Sequence, residues 1–482
     1  MNKQLYILTL FALLIATGCE RSFDELNTDP KHPVAVPANT LFLAGEKKLA
    51  DVYTSSIWTS SPFRVLAQVW TQTANINEAR YVFTANNAPG GWWTRLYTEV
   101  LGNLEEAKKL YADEALPDAV VQNKRLITDI LQVYAYYLLV NTYGDVPYQE
   151  ALSRTIPFPA YDDAQTITYD LLTRLDTDIA GLDIHAASFG DADQLYQGEV
   201  ALWKKFAATL KLKVALLLAD VDPEIARTKA LEAVQTGIID SEEASAKFQY
   251  IAGTVANANP IWQDLVNGTY ATYYAPAAFF VEQLAAWNDP RLPLWFTKDV
   301  HGGYSGAIAG QGGVNSELSK FTSKWTDAAA PTVLLDYAEA EFLLAEAVER
   351  GIPVTGNAAL HYQQAIHASI LSVGGTDAQA NTYIQQAEVN YSSAAGNWRQ
   401  KIGYQKWIAF ANRNWDAWTE IRRLGYPNLD VVSRPVNAIS DLPKRFYYPP
   451  AEQNSNAAHW REAVSKLPGA EDGVAAKLFW MK

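Results

Sequence analysis

Residues 334–351 read LLDYAEAEFLLAEAVERG, and their apolar side chains recur at the spacing of an α-helix. The positions that form the pattern are Leu335, Ala338, Phe342 and Ala345. Separations of three, four and three residues place them on one face of an amphipathic helix, and Gly351 fits its stop. A second helical pattern covers 357–373 after a short turn. The sequence therefore predicts a helical hairpin from 333–350 and 357–373.

Further helical patterns precede this hairpin along the chain. The predicted helices cover residues 41–53, 62–75, 92–111, 117–143, 197–219 and 222–236. Asp222 and Pro223 fit the cap and first position of a helix, and Gly237 fits a stop. Short turns join the third helix to the fourth and the fifth to the sixth. We therefore predict a mainly α protein, whose helix pairs resemble degenerate tetratricopeptide repeats without a strict period of about 34 residues.

Two stretches between the helices have a different composition. Residues 75–91 are polar and end in Pro-Gly-Gly. Residues 250–324 are rich in glycine, asparagine and aromatic residues, and GGYSGAIAGQGG at 302–313 has six glycines in twelve residues, which argues against a regular element. Long loops in a compact protein are usually functional or mobile. The sequence therefore predicts a helical scaffold with a loop-rich ligand-binding half, whose loops lie around 75–93 and 250–330.

The amino terminus has the pattern of an export signal. Lys3 precedes residues 5–16, a run of twelve residues with one polar member, which is shorter than the roughly 20 needed to span a bilayer. Small residues follow directly before Cys19, the only cysteine, as in a bacterial lipobox. We predict a signal peptide at 1–18, acylation of Cys19 and a lipidated tether over 19–39. The alternative is an ordinary secreted protein with an accidental cysteine.

Charge and motifs argue against several functional classes. The formal net charge is −14, and a chain this acidic is not expected to bind nucleic acid, which needs a basic face. None of the six histidines lies in H-E-x-x-H or in a Cys/His cluster. GYSGA at 303–307 breaks the nucleophile-elbow pattern at its last position, and the glycines at 310–313 lack the third glycine of a dinucleotide fingerprint. We predict no catalytic residue, no metal ligand and no cofactor.

Four carboxylates on the predicted helix at 333–350 leave one enzymatic alternative open. They are Asp336, Glu339, Glu341 and Glu346. Paired carboxylates catalyse glycoside hydrolysis, so a lipid-anchored glycoside hydrolase is a second functional hypothesis. Asp336 and Glu339 are one turn apart, however, and would sit side by side rather than on opposite sides of a glycosidic bond. The favoured interpretation is a charged helix face or acids that pair with nearby arginines.

Aromatic and amide side chains on the loops provide the candidate ligand site. The chain has 15 Trp and 26 Tyr, which suggests flat amphipathic contact surfaces beyond what a core requires. Sugar rings stack on such side chains, and their hydroxyls suit Asn, Gln, Asp and Arg; a peptide could use much the same surface. The predicted ligand contacts are Asn77, Arg80, Tyr81, Asn86, Trp92, Tyr273, Tyr304 and Trp325, with Trp93, Tyr270 and Tyr274 as neighbouring candidates.

Several longer motifs match a known family. They are NTDP at 27–30, NTYGDVPYQEAL at 141–152, DLLTRLD at 170–176, WKKFAATLKLKVALLL at 203–218, NDPRLPLWF at 288–296, the helix quoted above, YQKWIAFANRNWDAWTEIRRLGYP at 404–427 and LPKRFYYPPAEQNSN at 442–456. With these motifs the chain resembles the SusD-like (SusD/RagB) nutrient-binding outer-membrane lipoproteins of Bacteroidetes over essentially its whole length. Any one of the motifs alone is a weak signal, whereas the set is specific.

The resemblance implies an α-superhelical scaffold of four repeat-like helix pairs and a less regular half that carries the ligand site. It also implies a partner, a SusC-like TonB-dependent outer-membrane transporter over which the protein sits as a lid, facing the cell exterior. Oligosaccharides, or peptides in some members, would be delivered into its lumen. Within the shared motifs we predict a Glu420–Arg423 pair, burial of Trp415 and Trp418, and a helix acid as partner of Arg445.

Three functional hypotheses therefore stand. The favoured one is a non-enzymatic nutrient receptor, with oligosaccharides as the favoured ligands, that is anchored in outer-membrane lipid through Cys19 and paired with the transporter. A peptide-binding member of the same family is a variant of it. The lipid-anchored glycoside hydrolase is the second hypothesis. The third is a scaffold whose repeats bind only proteins, which would retain neither glycan nor peptide on an affinity gel.

Overall fold

A computed structural model describes residues 36–57, 61–429, 432 and 442–481. The predicted signal peptide, Cys19 and most of the tether lie outside these ranges. The helices are α1 Ala38–Thr54, α2 Phe63–Leu66, α3 Ala88–Thr94, α4 Gly102–Leu110, α5 Asp118–Tyr143, α6 Ala164–Gly181, α7 Val200–Leu217, α8 Pro223–Thr236, α9 Pro260–Trp262, α10 Ala278–Ala286, α11 Leu292–Trp295, α12 Ser323–Thr326, α13 Tyr337–Glu349, α14 Ala358–Ser372, α15 Asp377–Ile384, α16 Trp398–Ala409, α17 Asn414–Leu424, α18 Pro450–Ser455 and α19 Ala457–Ser465. The prediction of a mainly α protein is confirmed.

Strands are few and short in the described part of the chain. They are β1 Trp70–Gln72, β2 Val146–Pro147, β3 Tyr161–Asp162, β4 Ala246–Phe248, β5 Tyr274–Pro276 and β6 Thr332–Leu335. Each pairs antiparallel with one other strand: β1 with β5, β2 with β3, and β4 with β6. Two of these pairs join segments that are far apart in sequence, so they tie the loop-rich regions to one another and to the helices.

The predicted helical hairpins are present in the scaffold. α4 packs against α5, α7 against α8, and α13 against α14. Asp222 caps α8, because its carboxylate accepts the backbone N–H of Ile225 at 3.2 Å. Gly237 ends the same helix with a φ of 99°, a conformation that glycine adopts without a Cβ clash. α6 packs against both α5 and α7, so the pairs form one continuous layer of helices.

The predicted helix over 62–75 is wrong. Only α2 forms, and the chain then turns at Gln68, whose φ is 49°, into strand β1. Trp70 lies opposite Pro276 in the ladder between β1 and β5. All three residues of β1 are buried, so the strand has no alternating pattern that the sequence could have revealed. Pairing with a segment about 200 residues away overrides the local helical preference.

The stretch 334–351 begins as a strand and continues as a helix. Leu335 ends β6, so its predicted place on the helix is wrong. Asp336 is the cap of α13, and its carboxylate accepts the backbone N–H of Glu339 at 2.7 Å. Two residues after the last helical residue of α13, Gly351 has a φ of 73°, which fits the predicted stop. The switch from strand to helix at one capping residue joins the loop-rich half to the scaffold.

The loop-rich half is less irregular than predicted. Residues 75–93 include the start of α3 at Ala88, and 250–330 include four short helices, α9 to α12. Residues 302–313 contain no helix or paired strand beyond one isolated bridge at Ala307, as the glycine content predicted. One hydrophobic core runs through the scaffold and under these loops, and a smaller cluster lies among α13 to α17.

The acids of α13 pair with basic side chains, as the favoured interpretation predicted. Glu339 contacts Arg413 and Lys213, and Glu346 contacts Arg423 and Arg350. Each of these carboxylates is almost fully enclosed by the protein. They serve as internal counter-ions that hold the helices together, and they leave no exposed pair of carboxylates on this helix.

The other predictions from the shared motifs have mixed outcomes. Trp415 and Trp418 are both fully buried, and Glu420 lies 2.6 Å from Arg423, as predicted. Arg445 does find an acid, but that acid is Asp472, at 2.8 Å, in a segment without helical structure. The partner of Arg445 was therefore predicted wrongly. The ion pair fixes the carboxyl-terminal segment to the scaffold.

His361 on α14 makes two contacts that favour its protonated form. Its Nδ1 lies 2.6 Å from a carboxylate oxygen of Glu341, and its Nε2 lies 2.8 Å from the backbone carbonyl of Thr355. Both partners are acceptors, so both ring nitrogens must donate. Burial lowers the pKa of His361, but the bonds to Glu341 and Thr355 outweigh it, and the net pKa is raised.

We expect the contribution of His361 to stability to depend on pH. A raised pKa in the folded state means that the contribution is fully present below about pH 6.5, the ordinary value, and is lost as the pH rises through the folded pKa. Urea unfolding should show that His361→Gln costs ~1 kcal/mol at pH 5.5 and clearly less at pH 9. His367→Gln, whose partner Asp377 is exposed, is the control. Equal costs for His361→Gln at both pH values would contradict this assignment.

Candidate ligand-binding face

Three segments of the loop-rich half converge around Thr73, directly after strand β1. The backbone N–H of Thr73 donates to the carbonyl of Tyr273 at 2.8 Å, and its hydroxyl donates to the carbonyl of Thr272 at 2.8 Å. The carbonyl of Thr73 accepts the N–H of Gly313 at 3.0 Å. One residue therefore joins the first predicted loop region to two parts of the second. We call residues 73–80, 270–274 and 304–315 the loop face.

Two further contacts hold the third segment in place. Ala307 donates its N–H to the carbonyl of Pro276 and accepts the N–H of Ala278, at 2.8 and 2.9 Å, so it forms a parallel bridge with Ala277, directly after β5. A Cβ on Gly306 would lie 2.6 Å from backbone atoms of residues 276–278, so the close approach requires glycine there. The amide of Asn315 donates to the carbonyls of Thr272 and Tyr274, each at 3.1 Å.

Two tyrosines give the loop face its aromatic character. Tyr270 and Tyr273 are half-buried, and their ring centroids lie 5.5 Å apart at an interplanar angle of 57°. Two aliphatic side chains of the same face are exposed, Ile308 at 53% and Val314 at 84%. Tyr304 is also half-buried, and all three tyrosines pack against the core with part of their surface. The face therefore offers apolar ring and aliphatic surface beside backbone and amide polar groups, which suits an amphipathic ligand such as a sugar chain.

Three predicted ligand contacts lie in the protein interior instead. Trp92 is fully enclosed and stands edge-on to Phe63, with ring centroids 4.7 Å apart. Trp325 is 1% exposed, and Tyr81 is 4% exposed. The neighbouring candidates Trp93 and Tyr274 are buried as well. A ring with almost no exposed surface offers no face to a ligand, so we assign Trp92, Tyr81, Trp93 and Tyr274 to the core that supports the loops. Trp325 differs because it borders a cavity.

Trp325 contacts a cavity at the junction of the loops and the scaffold. The cavity has a volume of about 320 Å³, and its walls include Trp295, Asp336 and Arg413. The ring of Trp325 packs against Trp70 and Trp295, with centroids 5.2 and 6.0 Å away. Burial raises the pKa of Asp336, partly offset by Arg413. The cavity is therefore a mixed apolar and ionic space, separate from the tyrosines of the loop face.

The predicted polar contacts are half-buried and are engaged within the protein. Arg80 donates from Nε to the carbonyl of Gly310 at 2.7 Å. Asn86 donates to Glu78 at 2.8 Å, and the second oxygen of Glu78 accepts from Gln72 at 2.8 Å. Burial raises the pKa of Glu78, while the two amides lower it. The backbone carbonyl of Asn77 accepts the N–H groups of Arg80 and Val82, and its side chain does not cap the following turn.

Sequence reasoning missed the residues that assemble this face. The side chains of Thr73 and Asn315 form hydrogen bonds between the loop segments. Hydroxyl and amide residues are common in loops, however, and no sequence pattern distinguishes these two. Ile308 and Val314 are single aliphatic residues in loops, and such residues carry no sequence pattern that distinguishes an exposed side chain from a buried one. The six glycines at 302–313 were the available signal, since they mark a segment that approaches other backbone closely.

Within the described ranges, no group of three or more His, Cys, Asp and Glu side chains could hold a metal ion. Among the same residues, no helix combines the length and the apolar character needed to cross a membrane.

A sequence family described as starch-binding and associating with the outer membrane matches residues 30–449. The chain belongs to the SusD-like family. This confirms the resemblance seen in the motifs, since the match covers nearly the whole chain. No curated protein matches the sequence.

Solved structures of SusD-like proteins share the fold. A SusD homologue from Bacteroides uniformis is 25% identical, covers 92% of this chain and 99% of its own, and superposes with a TM-score of 0.76. A chitin-binding SusD homologue from Flavobacterium johnsoniae is 22% identical, covers 91% and 98%, and has a TM-score of 0.77. Another chitin-binding protein is 24% identical, covers 92% and 100%, and has a TM-score of 0.79. The tetratricopeptide-like helical scaffold predicted for this chain is thus the fold of its family.

Proposed function

We propose that this SusD-like protein is a cell-surface lipoprotein that binds oligosaccharides on its loop face and passes them to a SusC-like TonB-dependent transporter. The observation that carries the proposal is the pair of half-buried tyrosines, Tyr270 and Tyr273, on a face assembled from three loops. A family described as starch-binding and outer-membrane-associated supports the same conclusion. The acyl anchor at Cys19 and the transporter partner rest on the sequence pattern and on family membership.

The chemistry of the loop face matches what a sugar chain presents. The C–H faces of sugar rings stack on aromatic rings, and Tyr270 and Tyr273 are each partly exposed on this face. Exposed Ile308 and Val314 add apolar surface for methyl groups. Chito-oligosaccharides carry such methyl groups on their acetamides, and two relatives of the same fold are named chitin-binding. We therefore rank acetamido sugars beside starch-type glucans as the ligands to test first.

We propose that the protein is not an enzyme. The acids of α13 that could have formed a hydrolytic pair, Asp336 and Glu339, both contact Arg413 inside the protein. A general acid and a nucleophile both need access to a glycosidic bond, whereas Glu339 is enclosed by the protein and Asp336 is paired with Arg413. Incubation of the protein with a glycan panel should yield binding without release of shorter products. Turnover abolished by replacing one carboxylate would support the hydrolase alternative.

Binding should be measured by calorimetry against chito-oligosaccharides, malto-oligosaccharides and a set of short peptides. We expect Tyr273→Ala to weaken binding of the best glycan about tenfold, or ~1.4 kcal/mol, because one stacking ring is lost. Tyr169→Ala, at a half-buried tyrosine on scaffold helix α6, should leave the affinity unchanged.

Other binding results would point to a different ligand class or a different site on the protein. Binding of peptides but not glycans would favour the peptide-binding variant of the family. Binding that is insensitive to Tyr273→Ala would place the site elsewhere, and the cavity beside Trp325 would be the next region to probe. Retention of neither glycan nor peptide would favour a scaffold that binds only proteins.

A further inference from the structure

Arg80 uses its guanidinium on the protein itself. It ends a short turn, Glu78–Arg80, and its Nε donates to the carbonyl of Gly310 at 2.7 Å. A charged donor makes a hydrogen bond roughly twice as strong as a neutral one. Gly310 lies in the segment 302–313, which we call the glycine loop. A residue predicted as a ligand contact is thus bonded to the backbone of the loop beside the tyrosines.

The glycine loop is held by contacts with other segments, because it has little regular structure of its own. Six of its twelve residues are glycine, and within the described structure the loop has no helix and no strand beyond the isolated bridge at Ala307. Gly312 has a φ of 72°, and a Cβ there would lie 3.2 Å from the side chain of Ile76, so the loop passes closely over the first segment. Glycine loses more conformational freedom on ordering than any other residue. External hydrogen bonds must therefore hold the loop in one place.

Hydrogen bonds hold the turn that carries Arg80 in place. The backbone N–H of Arg80 donates to the carbonyl of Asn77 at 3.0 Å. Gln72 on β1 accepts the N–H of Ala79 at 2.9 Å and donates to Glu78 at 2.8 Å. The turn that carries Arg80 is thereby attached to a buried strand. The hydrogen bond from Arg80 to Gly310 therefore connects the glycine loop to a well-fixed part of the fold.

We propose that Arg80 is a positioning residue that fixes the glycine loop as a preformed wall of the binding face, with Asn315 as a second fastening. The proposal rests on the proposed function for its effect on ligand affinity, but its effect on the loop does not. A wall that is already ordered spares the ligand the entropic cost of ordering it. Loss of either fastening should therefore loosen the loop in the free protein and weaken binding.

The test combines amide hydrogen exchange of the free protein with calorimetry of the best glycan. Arg80→Met keeps an aliphatic stem of similar length but removes every donor, and Asn315→Ala removes two hydrogen bonds to the opposite segment. For both variants we expect exchange in 302–313 to accelerate about tenfold and the affinity to fall about five- to tenfold. Bound glycan should restore much of the protection.

A matched control is available on the scaffold. Arg227 on α8 also donates to a loop carbonyl, that of Gly351, at 2.7 Å. Arg227→Met should change exchange near Gly351 while leaving exchange in the glycine loop and glycan affinity unchanged. This variant separates the position of the bond from the general effect of removing an arginine's donors.

Two results would overturn the proposal. If Arg80→Met weakens glycan binding while exchange in 302–313 is unchanged, Arg80 contacts the ligand directly. If the loop exchanges faster in both variants and the affinity is unchanged, the glycine loop is not a wall of the site. Failure of the wild-type protein to bind any glycan would instead count against the proposed function, and the exchange data would still report whether Arg80 holds the loop.

Discussion

Replacement of Asp416 by asparagine is expected to lower the free energy of unfolding by about 3–5 kcal/mol, because it removes one of the two carboxylates that the buried cations Lys213 and Arg413 share. Asp416 is enclosed by the protein, 2.5 Å from Lys213 Nζ and 2.6 Å from Arg413 Nη2. The hydroxyl of Tyr53 also donates to it. Burial raises the pKa of Asp416, but Arg413 and Lys213 outweigh it, so the carboxyl stays ionised with its pKa below the ordinary value.

The size of this effect follows from how many helices the group joins. Tyr53 belongs to α1, Lys213 to α7, and Asp416 to α17. Glu339 of α13 contacts both Lys213 and Arg413 and completes the group. An asparagine amide has the same shape, but it lacks the charge and presents N–H groups toward cations. The remaining acids cannot neutralise both cations at the same distances, so four helices lose a common junction.

Urea unfolding of purified variants measures the prediction. Asp240→Asn is the matched control, because Asp240 pairs with Lys205 at 2.6 Å on the surface, where its side chain is 62% exposed. Its cost should stay below about 1 kcal/mol. If Asp416→Asn does not fold, Tyr53→Phe removes one hydrogen bond to the same carboxylate and should cost ~1 kcal/mol. A cost of Asp416→Asn no larger than that of Asp240→Asn would mean that the buried group does not stabilise the fold.

The parts of the fold that could be predicted from sequence are those set by local signals. Helices with a clear period and well-marked ends, such as α5 and α8, were predicted to within about a residue, because spacing and capping are local properties. The pairing of α13 acids with arginines was also predictable, since buried charges need partners. Strands β1 and β5 were not, because each has three buried residues and becomes a strand only through the other.

The candidate site was predictable by region and less so by residue. Loops with many rings and glycines marked the two regions that supply most of the loop face, and Tyr273 and Arg80 lie on that face; their contact with a ligand stays a prediction. Trp92 was misplaced although a signal existed: it precedes Leu96, Val100 and Leu104 by regular steps of four, which places it on the same helix face as core residues. Trp325 offered no such signal, because its burial depends on Trp70 and Trp295 from distant segments.

Replacement of Cys19 by serine is expected to abolish attachment of the protein to the outer membrane. Under the proposed function, acyl chains on Cys19 supply the anchor, and each buried methylene contributes about 0.8 kcal/mol. A single acyl chain gives only marginal membrane binding, so the lipobox interpretation requires several acyl chains on Cys19. A serine hydroxyl does not accept diacylglycerol in place of the thiol, and the net charge of −14 gives the protein no electrostatic attraction to an anionic surface that could compensate.

Membrane fractionation of a Bacteroidetes host that expresses the tagged full-length chain measures this prediction. The wild type should sediment with the outer membrane, and mass spectrometry of its amino-terminal peptide should detect diacylglycerol on Cys19. Cys19→Ser should appear in the soluble fraction with unchanged glycan affinity, and Ser22→Ala, three residues further on, should behave as the wild type. A bare thiol at position 19 in the wild type, or unchanged sedimentation of Cys19→Ser, would contradict lipid anchoring and would require another means of holding the receptor at the transporter.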